Sequence, residues 1–443
     1  MTRSARRPNG TGGPTEMTSQ RPVSPFESVY FTDSGAAGLP LFDMPAYVES
    51  QVRGTLDPTL VTRALGMLTE HHPMLRAEVT ASDTGPLLRV RDRVRPPLTA
   101  REGGADAFSE VINSRPDWTE SMLHAWLLTD GEVSQVVLGV HHGVADGRSL
   151  FHLLQEFWAS YTALAAGADP SPGRRTALPE AIDTRLARDF PDAEIDALVD
   201  VLAEGPPPET KPATLPTEGI GRADRPPVSG RFVVDRLEFE PAVTEAVVAA
   251  ARARGVTVNS LVTGLVLTAV RTQLAPETGP LPMVCGHGVD LRTRLEPELP
   301  LSTVLNCITG LQTALAVSPD DQPHEIGRQA AVQVEAALAR RDPERFLLAA
   351  LRAGARGIAA PSPVVSYGIS NVGRIPAHPV PPGTDLLRFG GTANAPGMPP
   401  KIGVASFGGR LLIQNEYDSW TYSPQQMAQL LHTLRLSLAD LAR

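Results

Sequence analysis

The chain has 443 residues, of which 42% are hydrophobic and 20% charged, and its formal net charge is −9. That length predicts two domains rather than one, and the composition is that of a globular protein. The sequence has no basic block, so nothing in it indicates a nucleic-acid partner. No apolar run in the sequence is long enough to cross a bilayer.

Two features of the sequence set its expected compartment and boundaries. Cys285 and Cys307 are too few for a disulfide framework, so the cytoplasm is the default compartment. Residues 1–22 are polar, contain several glycines and prolines and lack the apolar segment of a secretory signal, which predicts a disordered extension, with Met17 as an alternative start.

A proline-dense stretch over residues 205–228 cannot form a regular helix or a central strand of a sheet. It predicts a linker between an N-terminal subdomain, residues 23–204, and a C-terminal subdomain, residues 229–443.

Both subdomains have mixed strand and helix patterns. In the first, Asp57 and Pro58 predict the start of a helix that ends before Pro73, and an Asp-Gly pair between two apolar runs predicts a hairpin. The other segments expected in this subdomain are a strand at Ala46–Arg53, hairpin strands at Met122–Leu128 and Ser134–Val140, and a helix at Phe151–Ala165.

The second subdomain continues the same rhythm of strands and helices. A Ser-Pro-Gln-Gln capping box at Ser423 predicts the start of the last helix, which is expected to end near Ala442. The predicted strands are Arg231–Phe239, Pro282–Val289, Val364–Ser370 and Leu411–Tyr417, and the predicted helices are Val243–Arg254, Ser260–Leu274 and Glu325–Arg340.

A predicted buried strand is followed directly by polar and small residues, in the segment His141-His142-Gly143-Val144-Ala145-Asp146-Gly147. Successive side chains of a strand point to opposite faces, so one imidazole can face a cleft while the other is held by the protein. Imidazole titrates near neutrality and can take a proton from an attacking hydroxyl or amine and return it to a leaving thiol. The segment therefore indicates acyl transfer with His142 as general base, and the sequence contains no G-x-S-x-G elbow that would indicate a serine nucleophile.

Other interpretations of paired histidines stay open on the sequence alone. A His-His pair at a strand end is commonly a packed or solvent-facing pair. The chain contains a second pair, His71-His72, at a helix end, where cationic residues are favoured by the dipole; we interpret that pair as structural. We expect no metal at His142, because no third ligand occurs at a hairpin or helical spacing.

The pattern His-His-x-x-x-Asp-Gly after a strand resembles that of the superfamily of condensation domains, chloramphenicol acetyltransferase and related acyltransferases that use CoA or carrier proteins. The chain looks most similar to its polyketide-associated acyltransferases, of the phthiocerol/phthiodiolone dimycocerosyl transferase type. Three further stretches support the resemblance: Glu70–Val79, Val289–Pro297 and Ser370-Asn371-Val372-Gly373.

The resemblance implies an α/β fold of two chloramphenicol-acetyltransferase-like subdomains, each a two-layer α+β sandwich, that form a V with a central channel. It also implies that His142 is the base, and that His141 and Gly147 belong to the same catalytic motif. Asp146 is then structural and pairs with an arginine, for which Arg292 is the first candidate and Arg294 the second. Asn371 is a candidate oxyanion donor, although an Asn-x-Gly segment is as often only a turn.

The expected function is acyl transfer from a CoA or acyl-carrier-protein thioester to a hydroxyl of a natural product, sugar or lipid. No bound cofactor or metal is expected, and the partners are a small-molecule acceptor, the acyl thioester and an acyl carrier protein; a monomer without integral membrane contact is expected. Two alternatives stay open: an amide-forming or cyclising enzyme similar to condensation domains, and a catalytically silent scaffold that docks carrier proteins.

Overall fold

The structure is a computed structural model, and it describes residues 19–33, 41–171, 173–204, 211–217, 231–358 and 364–441. The strands within these ranges are β1 (Gln20–Pro22), β2 (Pro45–Arg53), β3 (Ala77–Thr80), β4 (Leu87–Val90), β5 (Leu98–Glu102), β6 (Leu123–Asp130), β7 (Val133–His141), β8 (Phe232–Phe239), β9 (Leu281–Asp290), β10 (Ile308–Val317), β11 (Tyr367–Arg374), β12 (Asp385–Thr392), β13 (Lys401–Phe407) and β14 (Arg410–Asp418). The helices are α1 (Pro25–Phe31), α2 (Pro58–His71), α3 (Ala105–Ile112), α4 (Gly147–Ala165), α5 (Ile182–Leu186), α6 (Asp192–Glu204), α7 (Pro241–Ala253), α8 (Val258–Arg271), α9 (Pro323–Ala339), α10 (Asp342–Ala355) and α11 (Pro424–Leu441).

Two large sheets define two lobes. The first has the strand order β12-β2-β7-β6-β5 and the second the order β10-β9-β11-β13-β14-β8, while β1, β4 and β3 form a small separate sheet. Helices cover these sheets, as the predicted mixture of strands and helices requires. The predicted hairpin is β6–β7, with Asp130 opposite Val133 and Gly131 in the left-handed region that such a turn needs.

Each lobe has its own apolar core. In the first lobe, α4 buries Leu150, Leu153, Leu154, Phe157 and Trp158, whose spacing puts them on one helical face against the first sheet. In the second lobe, every residue of α8 from Ser260 to Arg271 is buried, so this helix runs through the interior. Among the described residues, no single helix is both long and apolar enough for a membrane span; α7 and α8 reach that length only together, across a 92° bend.

Two of the predicted boundaries need correction. Residues 20–22 of the expected disordered extension form β1, which pairs with β4, whereas residues 1–18 lie outside the described residues. β12 comes from the C-terminal half but pairs antiparallel with β2, so a boundary at residue 229 does not divide the two sheets. The strand covers an edge that β2 would otherwise leave open. Of the predicted linker, residues 211–217 are described and contain no helix or strand, and the remainder lies outside the described residues.

Candidate active site

The His-His-x-x-x-Asp-Gly segment is the connection between β7 and α4. The run Val136–Val140 is buried, and β7 ends at His141. Asp146 is the N-cap of α4: its Oδ1 accepts a hydrogen bond of 2.8 Å from the backbone N–H of Ser149. The histidines and the aspartate therefore lie at the adjoining ends of two rigid elements.

His141 is enclosed completely. Its Nδ1 accepts a hydrogen bond of 3.0 Å from the backbone N–H of Gly143, while Phe31 stacks on the ring at 4.5 Å and Trp118 packs edge-on at 5.2 Å between centroids. Nε2 then carries the proton and faces Asp43 Oδ1 at 3.6 Å. Burial lowers the pKa of His141, so this ring is a neutral support. A side chain at Gly143 would come within 2.9 Å of the His141 Nδ1 atom, which explains the glycine.

His142 is held less tightly and stays partly exposed. Its backbone N–H donates to the carbonyl of Met44 at 2.9 Å, and the ring of Tyr30 stacks over the imidazole at 5.4 Å with a 23° angle between the planes. The Asn306 amide donates to the backbone carbonyl of His142 at 2.9 Å and lies 3.4 Å from the ring Nδ1. Three different segments therefore fix the position of this imidazole.

The surroundings of His142 favour its neutral form. Burial lowers the pKa of His142, and its own carbonyl and Asp146 offset this only partly. A neutral imidazole has a lone pair on one ring nitrogen and can accept a proton at neutral pH.

Asp146 joins the motif to the second lobe. Its Oδ2 contacts a guanidinium nitrogen of Arg292 at 2.5 Å and accepts a hydrogen bond from the backbone N–H of Cys307 at 2.8 Å. Both side chains are buried, and the other guanidinium nitrogen donates to Ser149 Oγ and to the Leu305 carbonyl at 2.6 Å each. This charged pair is therefore hydrogen-bonded on both sides, as burial requires.

Of the two arginine candidates, Arg292 is the one in contact with Asp146. Arg294 points elsewhere and pairs with Glu344 at 2.8 Å. Burial alone would lower the pKa of Arg292, but Asp146, Cys307 and Asp290 together outweigh it and the pKa is raised, so the guanidinium stays charged.

Asn371 and Gly147 have more distant positions. Asn371 is exposed; its amide donates to Asn259 at 3.0 Å and its oxygen accepts from the N–H of Gly373 at 2.8 Å. No hydrogen bond joins it to the motif within the described residues, so the oxyanion role stays a prediction. A side chain at Gly147 would meet Val372 at 3.7 Å; the Ser-Asn-x-Gly segment and the motif therefore approach each other at that point.

A pocket of about 300 Å³ lies on the second lobe beside β9 and β11. Asn259 and Asn371 line it, and so does Asp290, which contacts Arg292 at 3.2 Å. The pocket therefore borders the side chains that anchor the motif, and His142 is not part of its lining.

Sequence analysis missed Asn306 and Tyr30. Asn306 lies just before β10 and is 164 residues from His142 in the chain, in a segment without a motif. Tyr30 belongs to α1, whose start is marked by the capping box of Ser24 and Glu27. That signal could have found the helix, but nothing in it indicates that the helix covers the histidines.

Comparison with known proteins shows which proteins this chain is similar to. Residues 228–416 match the family model described as "Phthiocerol/phthiodiolone dimycocerosyl transferase C-terminus". The phthiocerol/phthiodiolone dimycocerosyl transferase of Mycobacterium sp. (strain JLS) is 26% identical over 382 residues, which is 83% of this chain and 87% of the relative. The enzyme of that name from Mycobacterium leprae (strain TN) is 28% identical over 260 residues, 56% of this chain and 59% of the relative.

Solved structures agree with the fold. Polyketide synthase associated protein 5 from Mycobacterium tuberculosis matches with a TM-score of 0.68 at 21% identity, covering 95% of this chain and 98% of its own. The trichothecene 15-O-acetyltransferase TRI3 of Fusarium sporotrichioides has a TM-score of 0.72 at 12% identity, with 96% and 94% covered. The first condensation domain of the CDA synthetase has a TM-score of 0.67 at 18% identity, with 96% of both chains covered.

These findings confirm the resemblance drawn from the sequence. The chain has the two-lobed fold of the condensation-domain and chloramphenicol-acetyltransferase-like superfamily. The chain is an acyltransferase, and it is similar to the phthiocerol/phthiodiolone dimycocerosyl transferases.

Proposed function

We propose that the protein transfers an acyl group from a CoA or acyl-carrier-protein thioester to a hydroxyl of a natural product, sugar or lipid, with His142 as the general base. The observation that carries the proposal is the partly exposed His142 ring, which Tyr30 and Asn306 hold in place and whose pKa is lowered by burial, so that the neutral imidazole has a lone pair available at pH 7. By their names, the curated relatives transfer dimycocerosyl groups to phthiocerol or phthiodiolone, which supports a lipid hydroxyl as acceptor.

The reaction starts from that lone pair. His142 removes the proton of the acceptor hydroxyl as its oxygen attacks the thioester carbonyl, and a tetrahedral oxyanion forms. When the intermediate collapses, the C–S bond breaks and the imidazolium returns the proton to the departing thiolate. The products are an ester, a free thiol and the original neutral imidazole, so no nucleophile on the protein and no resident cofactor is needed.

The neighbouring residues position the base. The Asp146–Arg292 pair fixes the turn between β7 and α4, since it joins the N-cap of α4 to the second lobe. Asn306 holds the backbone of His142 through its carbonyl, and Tyr30 stacks on the face of the imidazole ring. Asn371 as oxyanion donor, the channel between the lobes, the carrier-protein partner, the monomeric state and the cytoplasmic location stay predictions.

The test is turnover of acyl thioesters, measured as released thiol. Acyl-CoA and acyl-carrier-protein donors of several chain lengths are offered with alcohol and amine acceptors to the natural chain, to His142→Ala and to His324→Ala as a control. We expect turnover with alcohols and a loss of about 10²–10⁴-fold in His142→Ala, with His324→Ala unchanged. If the natural chain and His142→Ala are equally active, or both inert with every donor, the assignment is wrong; turnover with amines alone would favour the condensation alternative.

A further inference from the structure

The second histidine pair lies in a cluster of its own. His71 is the last residue of α2, His72 is its neighbour, and both approach Glu156 of α4. His152 lies one helical turn before Glu156, so its ring reaches the same carboxylate. Two imidazoles and one carboxylate therefore converge where the end of α2 packs against the middle of α4, and the third imidazole, of His152, lies beside that carboxylate.

The distances suit a metal ion. One ligand atom each from His71, His72 and Glu156 lie within 4.8 Å of one another, and Nε2 of His152 is 3.2 Å from Glu156 Oε1. Zinc binds imidazole nitrogen and carboxylate oxygen at about 2.0–2.2 Å, so the ligands of a tetrahedral site are roughly 3.3 Å apart. Small side-chain adjustments would bring this cluster to that spacing.

Two further contacts are those expected of residues around a metal ion. Nε2 of His152 lies 3.2 Å from Glu156 Oε1, the oxygen that does not contact His72. Nδ1 of His71 lies 3.3 Å from the carbonyl of Gly173, and carbonyls and polar side chains of this kind are usual outer partners of metal ligands. A cation bound between His71, His72 and Glu156 would give the carboxylate a full counter-charge.

We propose that His71, His72 and Glu156 bind one divalent transition-metal ion of the zinc class, with His152 as the outer partner of the Glu156 carboxylate. Imidazole and carboxylate donors of this kind suit zinc rather than calcium or magnesium. The ion would clip α2 to α4, the helix that Asp146 caps at the motif end, and its role would be structural. From the sequence we expect no metal, and this proposal would correct that expectation for the structure of the protein while the proposed reaction itself still uses none.

The test uses the full chain, stripped of metal and free of affinity-tag histidines, and titrates it with Zn²⁺ by calorimetry. We expect one ion per chain, and at least about tenfold weaker binding in Glu156→Gln and in His152→Ala, since even outer partners of a metal site are worth 10–100-fold. Titration with Co²⁺ should give the visible spectrum of a four-coordinate site in the natural chain and lose it in both variants.

Two controls make the outcome decisive. His324→Ala removes a histidine that also faces a glutamate, at 3.4 Å but on the surface, and His142→Ala removes the motif histidine; both should bind Zn²⁺ like the natural chain. The circular dichroism of each metal-free variant establishes that it is folded, and zinc should raise the Tm of the natural chain but not that of Glu156→Gln. Absence of stoichiometric binding, unchanged affinity in Glu156→Gln, or loss of binding in His142→Ala would each overturn the proposal.

Discussion

The two His-His pairs of this chain have the same sequence and opposite surroundings. In the pair His141-His142, the first ring is enclosed by aromatic rings and the second is partly exposed. In the pair His71-His72, the second ring is 2% exposed and contacts the carboxylate of Glu156. In the function we propose, the first pair supplies a proton acceptor to a substrate, whereas the second pair contacts only the protein's own side chains and backbone.

The difference comes from the residues that lie just beyond each pair in the chain. After His142 a tight turn leads to Asp146, which caps α4 and meets Arg292 from the other lobe. After His72 comes a proline that begins a single turn of 3-10 helix, and the chain leaves at once for β3. We therefore propose catalysis only for the pair whose following residues hold one ring and leave the other partly exposed. α4 connects the two places, because it starts at the motif and carries Glu156.

The largest effect on stability is expected from Asp146→Ala. The change removes the buried carboxylate nearest to the Arg292 guanidinium and leaves only the more exposed Asp290 at 3.2 Å, so we expect a cost of about 3 kcal/mol. It also removes the α4 cap, so acyl transfer should fall as well. Urea unfolding and thioester turnover measure the two effects. Arg148→Ala, which removes an exposed partner of Asp290, is the control and should cost no more than about 1 kcal/mol. An Asp146→Ala chain with normal melting and a normal rate would contradict the anchoring role.

A smaller effect separates the two pairs directly. His72→Ala in the metal-free chain removes a buried ring and its contact with Glu156, so we expect a loss of about 1–3 kcal/mol in the free energy of unfolding. His142→Ala changes a partly exposed position, so its free energy of unfolding should fall by less than about 1 kcal/mol. Its thioester turnover should nevertheless be largely lost. Equal destabilisation by both changes, measured in urea, would mean that the two pairs do not differ as described.

The smallest effect concerns the support of the His142 ring. Asn306→Ala removes the amide that donates to the His142 carbonyl, and we expect kcat to fall about tenfold, equivalent to about 1.4 kcal/mol, with KM little changed. Tyr30→Phe keeps the stacked ring and removes only the buried hydroxyl, which hydrogen-bonds to Asn306, so it should cost less. A rise in KM alone, in steady-state assays of both variants, would indicate substrate binding instead of positioning of the base.

Much of the motif region was predictable because its signals are local. The apolar run of β7 and the turn glycines lie close together in the chain, and the structure has β7, the turn and α4 in that order. The sequence predicts the helix only from Phe151, whereas α4 begins at Gly147 with Asp146 as its N-cap. The choice of Arg292 came from the resemblance, since nothing in the local sequence distinguishes it from Arg294. Asn306 could not be found, because its contact with His142 joins residues 164 apart in the chain.

β12 shows why part of the fold escaped prediction. Its Gly390-Gly391 pair is typical of a loop, because glycine weakens a strand. In the structure a side chain at Gly390 would come within 2.8 Å of Glu49 Oε1, and Glu49 is buried between the two sheets, where it contacts Arg236 and Gln135. The glycine is therefore required by a contact with distant parts of the chain, which local propensity does not contain.

The most direct test of His142 as the base is the pH dependence of kcat/KM for thioester turnover, compared between the natural chain and His142→Ala within the range where both stay folded. Burial lowers the pKa of His142 below its ordinary 6.5, so the neutral base is fully present at pH 7 and the rate should fall only as the pH drops through that lowered value. The residual rate of His142→Ala should lack this acidic limb. A limb centred above 6.5, or the same limb in His142→Ala, would contradict His142 as the general base.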